Sequence, residues 1–138
     1  MEEGRLRLAC PWPDPVDGAF TGISLPAEDV NWPWVEVVQS HAGVSGAQVD
    51  ALVQAGVRGR VVAGTGNGTL HGHLEAALHR AQQAGAAVRV TTRCPFGQVV
   101  GAPAHGFPLT DGLSPVKARI SLMLELLQTE RSVVVHRG

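Results

Sequence analysis

From residue 34 onward, short apolar runs alternate with segments whose apolar residues are three and four positions apart. The β-branched runs predict strands, and the wider spacing predicts helices. We therefore expect strands at residues 34–39, 60–63, 87–92 and 132–135, and helices at residues 47–55, 70–84 and 114–128. This alternation predicts an α/β fold, a three-layer α/β/α arrangement with helices on both faces of a small, mostly parallel sheet of about four strands.

The helix ends carry their own signals. Ser45 is a candidate N-cap of the first helix, and Gly56 stands where its C′ residue is expected. Ser114 is a candidate cap of the last helix, and Pro115 then occupies the first helical position, where its missing N–H costs nothing. The buried face of that helix is expected to consist of Leu113, Val116, Ile120, Met123, Leu124 and Leu127.

Residues 1–33 differ from the rest of the chain because five of its nine prolines lie there. Proline fixes φ and lacks an N–H donor, so this segment is not expected to form a central strand or a helix. Residues 4–8 alternate polar and apolar positions and suit a short edge strand. We expect a connector with an edge strand at residues 1–33 and one α/β domain at residues 34–138.

Composition narrows the function classes. The 138 residues are 44% hydrophobic and 17% charged, with a net charge of −1, so no basic stripe is available for nucleic acid. No apolar run approaches the roughly 18 residues of a membrane span. The acidic N-terminus does not resemble a signal peptide, which favours a cytoplasmic location. Cys10 and Cys94 lack metal-ligand spacing and are expected to be reduced thiols.

The strongest local signal is the glycine-rich turn Gly64-Thr65-Gly66-Asn67-Gly68-Thr69. It follows a predicted parallel strand and opens a helix, which is where open α/β sheets bind ligands. Glycines let a ligand approach the backbone, and helix N-terminal N–H groups favour an anion. The turn lacks the third glycine of a dinucleotide site and the lysine of a P-loop, so a nucleotide-binding module is disfavoured. A turn used only for tight packing is the alternative.

Other candidate chemistry is weaker. Four histidines invite a metal interpretation, but no carboxylate or thiolate completes a ligand set, so neither a metal nor another cofactor is expected. These histidines are His41, His71, His73 and His79. A triad can be written from Ser40, His41 and Asp50, although nearness in sequence does not give geometry. Lone polar groups such as Glu75, Asp111, Lys117 and Arg119 are more often solvated or paired structurally.

The order of the predicted strands and helices and of the glycine-rich turn resembles that in the C-terminal domain of the bacterial L-asparaginase family. The resemblance is collinear and covers nearly the whole chain, and residues 35–43, 55–69, 89–95 and 113–119 carry it. It implies that a complete enzyme hydrolyses L-asparagine to aspartate and ammonia. It also implies that the threonine nucleophile belongs to an N-terminal domain, so that no catalytic residue is expected in this chain.

The resemblance further implies that Asn67, Gly68 and Thr69 contact the substrate, and that the domain helps to close the active site of a neighbouring subunit. We therefore expect a homo-oligomer or a companion chain. Apolar surface around Trp12, Trp32 and Trp34 is expected to drive self-association. The alternative is a non-catalytic module that binds an amino acid or mediates assembly.

Overall fold

The structure is a computed structural model that describes residues 30–102, 104–110 and 112–135, with the backbone alone for residues 131–135. Its elements follow in the order β1 (Val35–Gln39), α1 (Ala47–Gln54), β2 (Gly59–Gly64), α2 (Gly72–Gln83), β3 (Ala87–Thr92) and α3 (Pro115–Val135). From Trp32 onward the described residues belong to one compact unit. The edge strand predicted at residues 4–8 lies outside the described residues.

The three strands form one parallel sheet in the order β1-β2-β3. Val61 in the central strand pairs with Val37 on one side and Arg89 on the other. Beside β3, Val90 and Leu109 form an isolated parallel bridge, which extends the sheet by one short step. Because all three strands run in the same direction, their carboxyl ends meet at one edge, and the segments that follow them are brought together there.

Helices cover both faces of the sheet, as the alternating pattern predicts. Val62 faces the layer formed by α1 and α2, where the larger core cluster contains Val38, Val49, Leu74, Leu78 and Val90. The opposite face carries α3, packed on a smaller cluster of Val35, Val61, Ala118 and Leu122. A Cβ at Gly59 would lie 2.9 Å from Leu122, so this glycine gives α3 room to approach β2.

The first helix ends at Gly56 in the predicted way, and α2 ends in the same way at Gly85. Gly56 and Gly85 have φ of +82° and +89°, the left-handed conformation that glycine adopts readily. After α1, the Val57 N–H donates to the Leu52 carbonyl oxygen (3.0 Å) and the Gly56 N–H to that of Val53 (3.0 Å). These are the two bonds of a Schellman motif, and α2 ends with the equivalent pair.

Three predicted boundaries were wrong. Residues 132–135 continue α3 and do not form a strand, because no glycine or proline interrupts the chain after Gln128, and tertiary context overrides the β preference of valine. The second helix begins at Gly72 and not at residue 70, because His71 has an extended backbone and is its N-cap. The N-cap of α1 is Gly46; the Ser45 hydroxyl accepts a long hydrogen bond of 3.4 Å from the Ala47 N–H.

The buried face of α3 was also predicted in part wrongly. Val116 and Ile120 are 70% and 48% exposed, whereas Ala118 and Leu122 are buried against the sheet. Leu127 is buried as expected. The prediction favoured the bulkier stripe, but the small side chain of Ala118 allows the closer contact with the sheet. None of the helices in the described ranges is long and apolar enough to cross a membrane.

We expect Leu122→Ala to lower the free energy of unfolding by about 3 kcal/mol, because it leaves a cavity between α3 and the sheet. Ile120→Ala removes an aliphatic side chain of similar size from an exposed position and should cost less than about 1 kcal/mol. Urea denaturation followed by circular dichroism measures both values. Equal losses would contradict the observed orientation of α3.

Candidate functional site

Three segments meet at the carboxyl edge of the sheet. Ser40 follows β1, the turn of residues 65–69 follows β2, and Arg93 follows β3. The Ser40 N–H donates to the Ala63 carbonyl oxygen (3.0 Å), and the Arg93 N–H donates to that of Gly64 (2.9 Å). Both bonds continue the pairing of the sheet past the ends of the strands. The glycine-rich turn is therefore flanked on both sides by backbone that the sheet itself holds in place.

The turn, named here the glycine turn (residues 64–69), folds back on itself. Thr65 and Thr69 form an antiparallel bridge with N–H to carbonyl bonds of 3.0 and 2.9 Å. A Cβ at Gly64 would lie 2.6 Å from the backbone of Gly68, a separation that no side chain can occupy. Gly66 and Gly68 have φ of +49° and +79°. These glycines are required by a close approach of backbone to backbone and by left-handed conformations.

Asn67, predicted to contact substrate, uses its side-chain amide to hold a neighbouring loop. Its Nδ2 donates to the Val100 carbonyl oxygen (2.9 Å), and its Oδ1 accepts from the Val100 N–H (2.6 Å). The amide thus mimics a strand partner for Val100. In this arrangement Asn67 clamps the loop of residues 93–102 onto the glycine turn.

A second contact fixes the turn from β3. The Thr92 hydroxyl donates to the Gly66 carbonyl oxygen (2.6 Å) and accepts from the Cys94 N–H (3.1 Å). Gly68 lies under the same loop, since a Cβ there would lie 3.0 Å from a methyl group of Val99. The side of the turn that remains open carries Gly66, Asn67 and Thr69, which are exposed.

The N-terminus of α2 lies beside the turn. The His71 N–H donates to the hydroxyl of buried Ser40 (3.0 Å), and the His71 Nδ1 accepts from the His73 N–H (3.4 Å) as a cap. The Arg93 guanidinium donates to the Ser40 carbonyl oxygen (3.4 Å). A helix N-terminus and an arginine on one edge favour a carboxylate-bearing ligand there.

The structure does not assemble the other arrangements considered from the sequence. Ser40 bonds the backbone of α2, the exposed His41 contacts the Ala42 carbonyl oxygen (3.0 Å), and Asp50 forms an ion pair with Arg80 (3.0 Å). These three residues therefore form no triad. Within the described ranges, no group of three or more metal-ligating side chains occurs.

The lone charged residues have separate surroundings. Glu75 lies 3.9 Å from the Nε2 of His79, and Arg119 donates through Nε to the Val35 carbonyl oxygen (2.7 Å), a structural contact between α3 and β1. Lys117 is exposed. Asp111 lies outside the described residues.

Thr92, Arg93 and His105 were not identified as site residues from their sequence. The first two follow from the rule that residues at the carboxyl ends of parallel strands share one edge, and β3 was predicted correctly. His105 is buried, its Nδ1 accepts from the Phe107 N–H (3.1 Å), and Phe107 stacks on His79 (4.4 Å between ring centroids). Burial lowers the pKa of His105, although the Glu75 carboxylate and the Gly68 backbone oppose that shift.

Known proteins are similar to this chain in sequence and fold. A model of the glutaminase/asparaginase C-terminal domain matches residues 34–137. This chain belongs to the glutaminase/asparaginase family. The asparaginase C-terminal domain is the part that it matches, so the family resemblance drawn from the sequence is confirmed.

Two curated asparaginases show how much of a whole enzyme the chain covers. L-asparaginase 2 of Escherichia coli (strain K12) is 38% identical over 103 residues, which are 71% of this chain and 30% of the relative. The probable periplasmic L-asparaginase of Haemophilus influenzae is 32% identical over 111 residues, 76% of this chain and 32% of the relative. The chain spans about a third of the length of these asparaginases.

A solved asparaginase has the same fold. The probable cytoplasmic L-asparaginase from Campylobacter jejuni superposes with a TM-score of 0.65 at 34% identity, over 70% of this chain and 31% of that one. The α/β architecture expected from the hydrophobic pattern is thereby confirmed.

We expect Gly64→Ala to lower the free energy of unfolding by about 3 kcal/mol or more, because its Cβ cannot be placed against Gly68 without displacing the backbone. Gly72→Ala is the matched control. No atom lies within 4 Å of a Cβ at Gly72, which stands in the first turn of α2, so alanine there should be neutral or stabilising by up to about 1 kcal/mol. Chemical denaturation measures both, and a tolerated Gly64→Ala would show that the turn is not constrained as described.

Proposed function

We propose that this chain acts as the C-terminal domain of an L-asparaginase, which hydrolyses L-asparagine to L-aspartate and ammonia. In this proposal the threonine nucleophile comes from an N-terminal domain. The chain supplies the glycine turn next to the substrate, with contacts from Asn67, Gly68 and Thr69. The observation that carries the proposal is the position of this turn at the carboxyl edge of a parallel sheet, pinned by Asn67 and Thr92.

The chemistry of the described residues supports an active site that is formed by two domains together. Amide hydrolysis requires an activated nucleophile and donors that stabilise the oxyanion. The hydroxyls of Ser40, Thr91 and Thr92 bond backbone atoms and not a general base. Binding sites for small molecules cover most of the ligand surface, whereas Gly66, Asn67 and Thr69 lie on an open edge. In the proposal, a second domain both supplies the nucleophile and excludes water.

Asn67 plays a positioning part in this proposal, because its amide is already bonded to Val100. The groups of the turn offered to a ligand are the backbone N–H groups of residues 66–68 and the hydroxyl of Thr69. Arg93 and the N-terminus of α2 add positive potential suited to the substrate carboxylate. The proposal includes a cytoplasmic location, supported by the description of the Campylobacter jejuni relative and measurable by cell fractionation.

One observation favours the alternative of a non-catalytic binding or assembly module. An amide that bonds both backbone groups of Val100 has a structural role that needs no substrate to explain it. Titration calorimetry with L-asparagine and an ammonia assay separate the two functions. The alternative would be supported if L-asparagine binds the chain alone with measurable heat and adding a catalytic domain gives no gain in ammonia release.

We expect the purified chain alone to release ammonia from L-asparagine at the rate of buffer, and a mixture with an N-terminal asparaginase domain to exceed either part. Asn67→Ala should lower the activity of the mixture about tenfold, because the turn loses its clamp and small misplacements near reacting groups are costly. Gln83→Ala, at the exposed end of α2, is the control and should leave activity unchanged. Robust turnover by the chain alone would reject the proposal.

We also propose that the chain self-associates. Trp32 and Trp34 are 45% and 47% exposed, and Val116 and Ile120 add exposed apolar surface on α3. Trp12 lies outside the described residues. Light scattering should therefore give a mass above the monomer that falls with dilution, and Trp34→Ser should lower the association more than Lys117→Ser. A monomer at all concentrations would contradict this expectation.

A further inference from the structure

A buried arginine lies at the opposite edge of the sheet from the glycine turn. Arg60 is the second residue of β2, two positions before Val62, so its side chain points into the layer of α1 and α2. It has no exposed surface, although it stands in a strand that the sequence pattern treats as apolar. Fully buried arginines are rare unless they are paired.

The guanidinium of Arg60 is poorly satisfied. Its Nη1 donates a long hydrogen bond to the Val57 carbonyl oxygen (3.3 Å), whereas Nε and Nη2 are buried without a partner. Burial lowers the pKa of Arg60, but a guanidinium titrates so far above neutrality that it stays charged. Buried N–H groups without an acceptor cost stability, so the site favours an added acceptor.

A cavity of about 180 Å³ adjoins this side chain. Its described lining includes the two helix-ending glycines, Gly56 and Gly85, and a second arginine, Arg58, but no acidic residue. Arg58 is half-exposed and forms its ion pair with Glu130 (2.7 Å), so its charge is already matched. Of the two arginines, Arg60 is therefore the one whose N–H groups lack an acceptor.

We propose that this cavity is a binding site for a small monovalent carboxylate, held by Nε and Nη2 of Arg60. These two nitrogens form one side of the guanidinium, and their parallel N–H groups match the two oxygens of a carboxylate. A ligand reaches them by a small movement of the cavity wall, which includes two residues without side chains. The site is separate from the glycine turn and does not depend on the function proposed for it.

The helix ends favour a monovalent ligand over a divalent one. The C-termini of α1 and α2 both lie at this cavity, and the dipole of each helix places about half a negative charge at its C-terminus. Together they offset much of the Arg60 charge, so a dianion such as sulfate or phosphate is repelled more than formate or acetate. The planar shape of the free N–H pair favours a carboxylate over chloride.

Thermal unfolding of the full chain in sodium formate, chloride or sulfate at equal ionic strength tests the proposal. Because a ligand that binds the folded state raises its stability, formate at ten times its Kd should raise Tm by about 5 °C over chloride, and sulfate should not. Arg60→Met should abolish the difference between formate and chloride. Lys117→Met, which removes an exposed charge on α3, should preserve it.

A second measurement keeps the test decisive if Arg60→Met does not fold. In the wild-type chain, the ¹⁵N–¹H signal of the Arg60 Nε should shift saturably with formate, while that of Arg93 should not. N-acetyl-aspartate amide distinguishes a protein side chain from a free ion. We expect this compound to shift the Arg60 Nε signal less than formate does. An equal shift would still support a carboxylate site, but the natural ligand would then be a carboxylate side chain of a protein. An Arg60 signal and a Tm that respond equally to formate and chloride would overturn the proposal.

Discussion

The close contact between Gly64 and Gly68 is the constraint on which the candidate site depends. With a Cβ at Gly64 only 2.6 Å from the Gly68 backbone, the turn can fold back at the end of β2 only if Gly64 has no side chain. That fold pairs Thr65 with Thr69 and directs Gly66 and Asn67 outward. The contacts of the turn to Thr92 and Val100 follow from this geometry.

The two edges of the sheet are built for different chemistry. At the carboxyl edge, a helix N-terminus, Arg93 and exposed backbone make an open, electropositive surface that suits an amino acid once a second domain covers it. At the amino edge, the C-terminal ends of α1 and α2 line the cavity beside buried Arg60. The central strand β2 contributes to both edges, because Arg60 lies near its start and the glycine turn begins at its end.

Much of the fold could be predicted because its signals are local. The β-branched runs identified β1, β2 and β3, and Gly56 and Pro115 marked helix ends whose geometry depends on single residues. The extension of α3 and its buried face could not be predicted in the same way. They depend on which stripe of α3 fits against β1 and β2, where Ala118 and Gly59 matter because they are small.

The site was predictable in position but not in detail. The glycine turn was identified from its sequence and its place after β2, yet the partner of Asn67 lies 33 residues away, and no spacing rule relates it to Val100. Arg60 was missed because neighbouring valines dominate the pattern of its strand. Contacts between segments distant in sequence decide both cases.

The central claim is that the open edge of the glycine turn faces substrate when a catalytic domain is present. Nuclear magnetic resonance of the ¹⁵N-labelled chain, bound to an unlabelled N-terminal asparaginase domain and titrated with L-aspartate, tests it most directly. The account predicts saturable shifts of the amide signals of residues 66–69 and of Arg93. Shifts confined to other residues, or none at saturating L-aspartate, would contradict it.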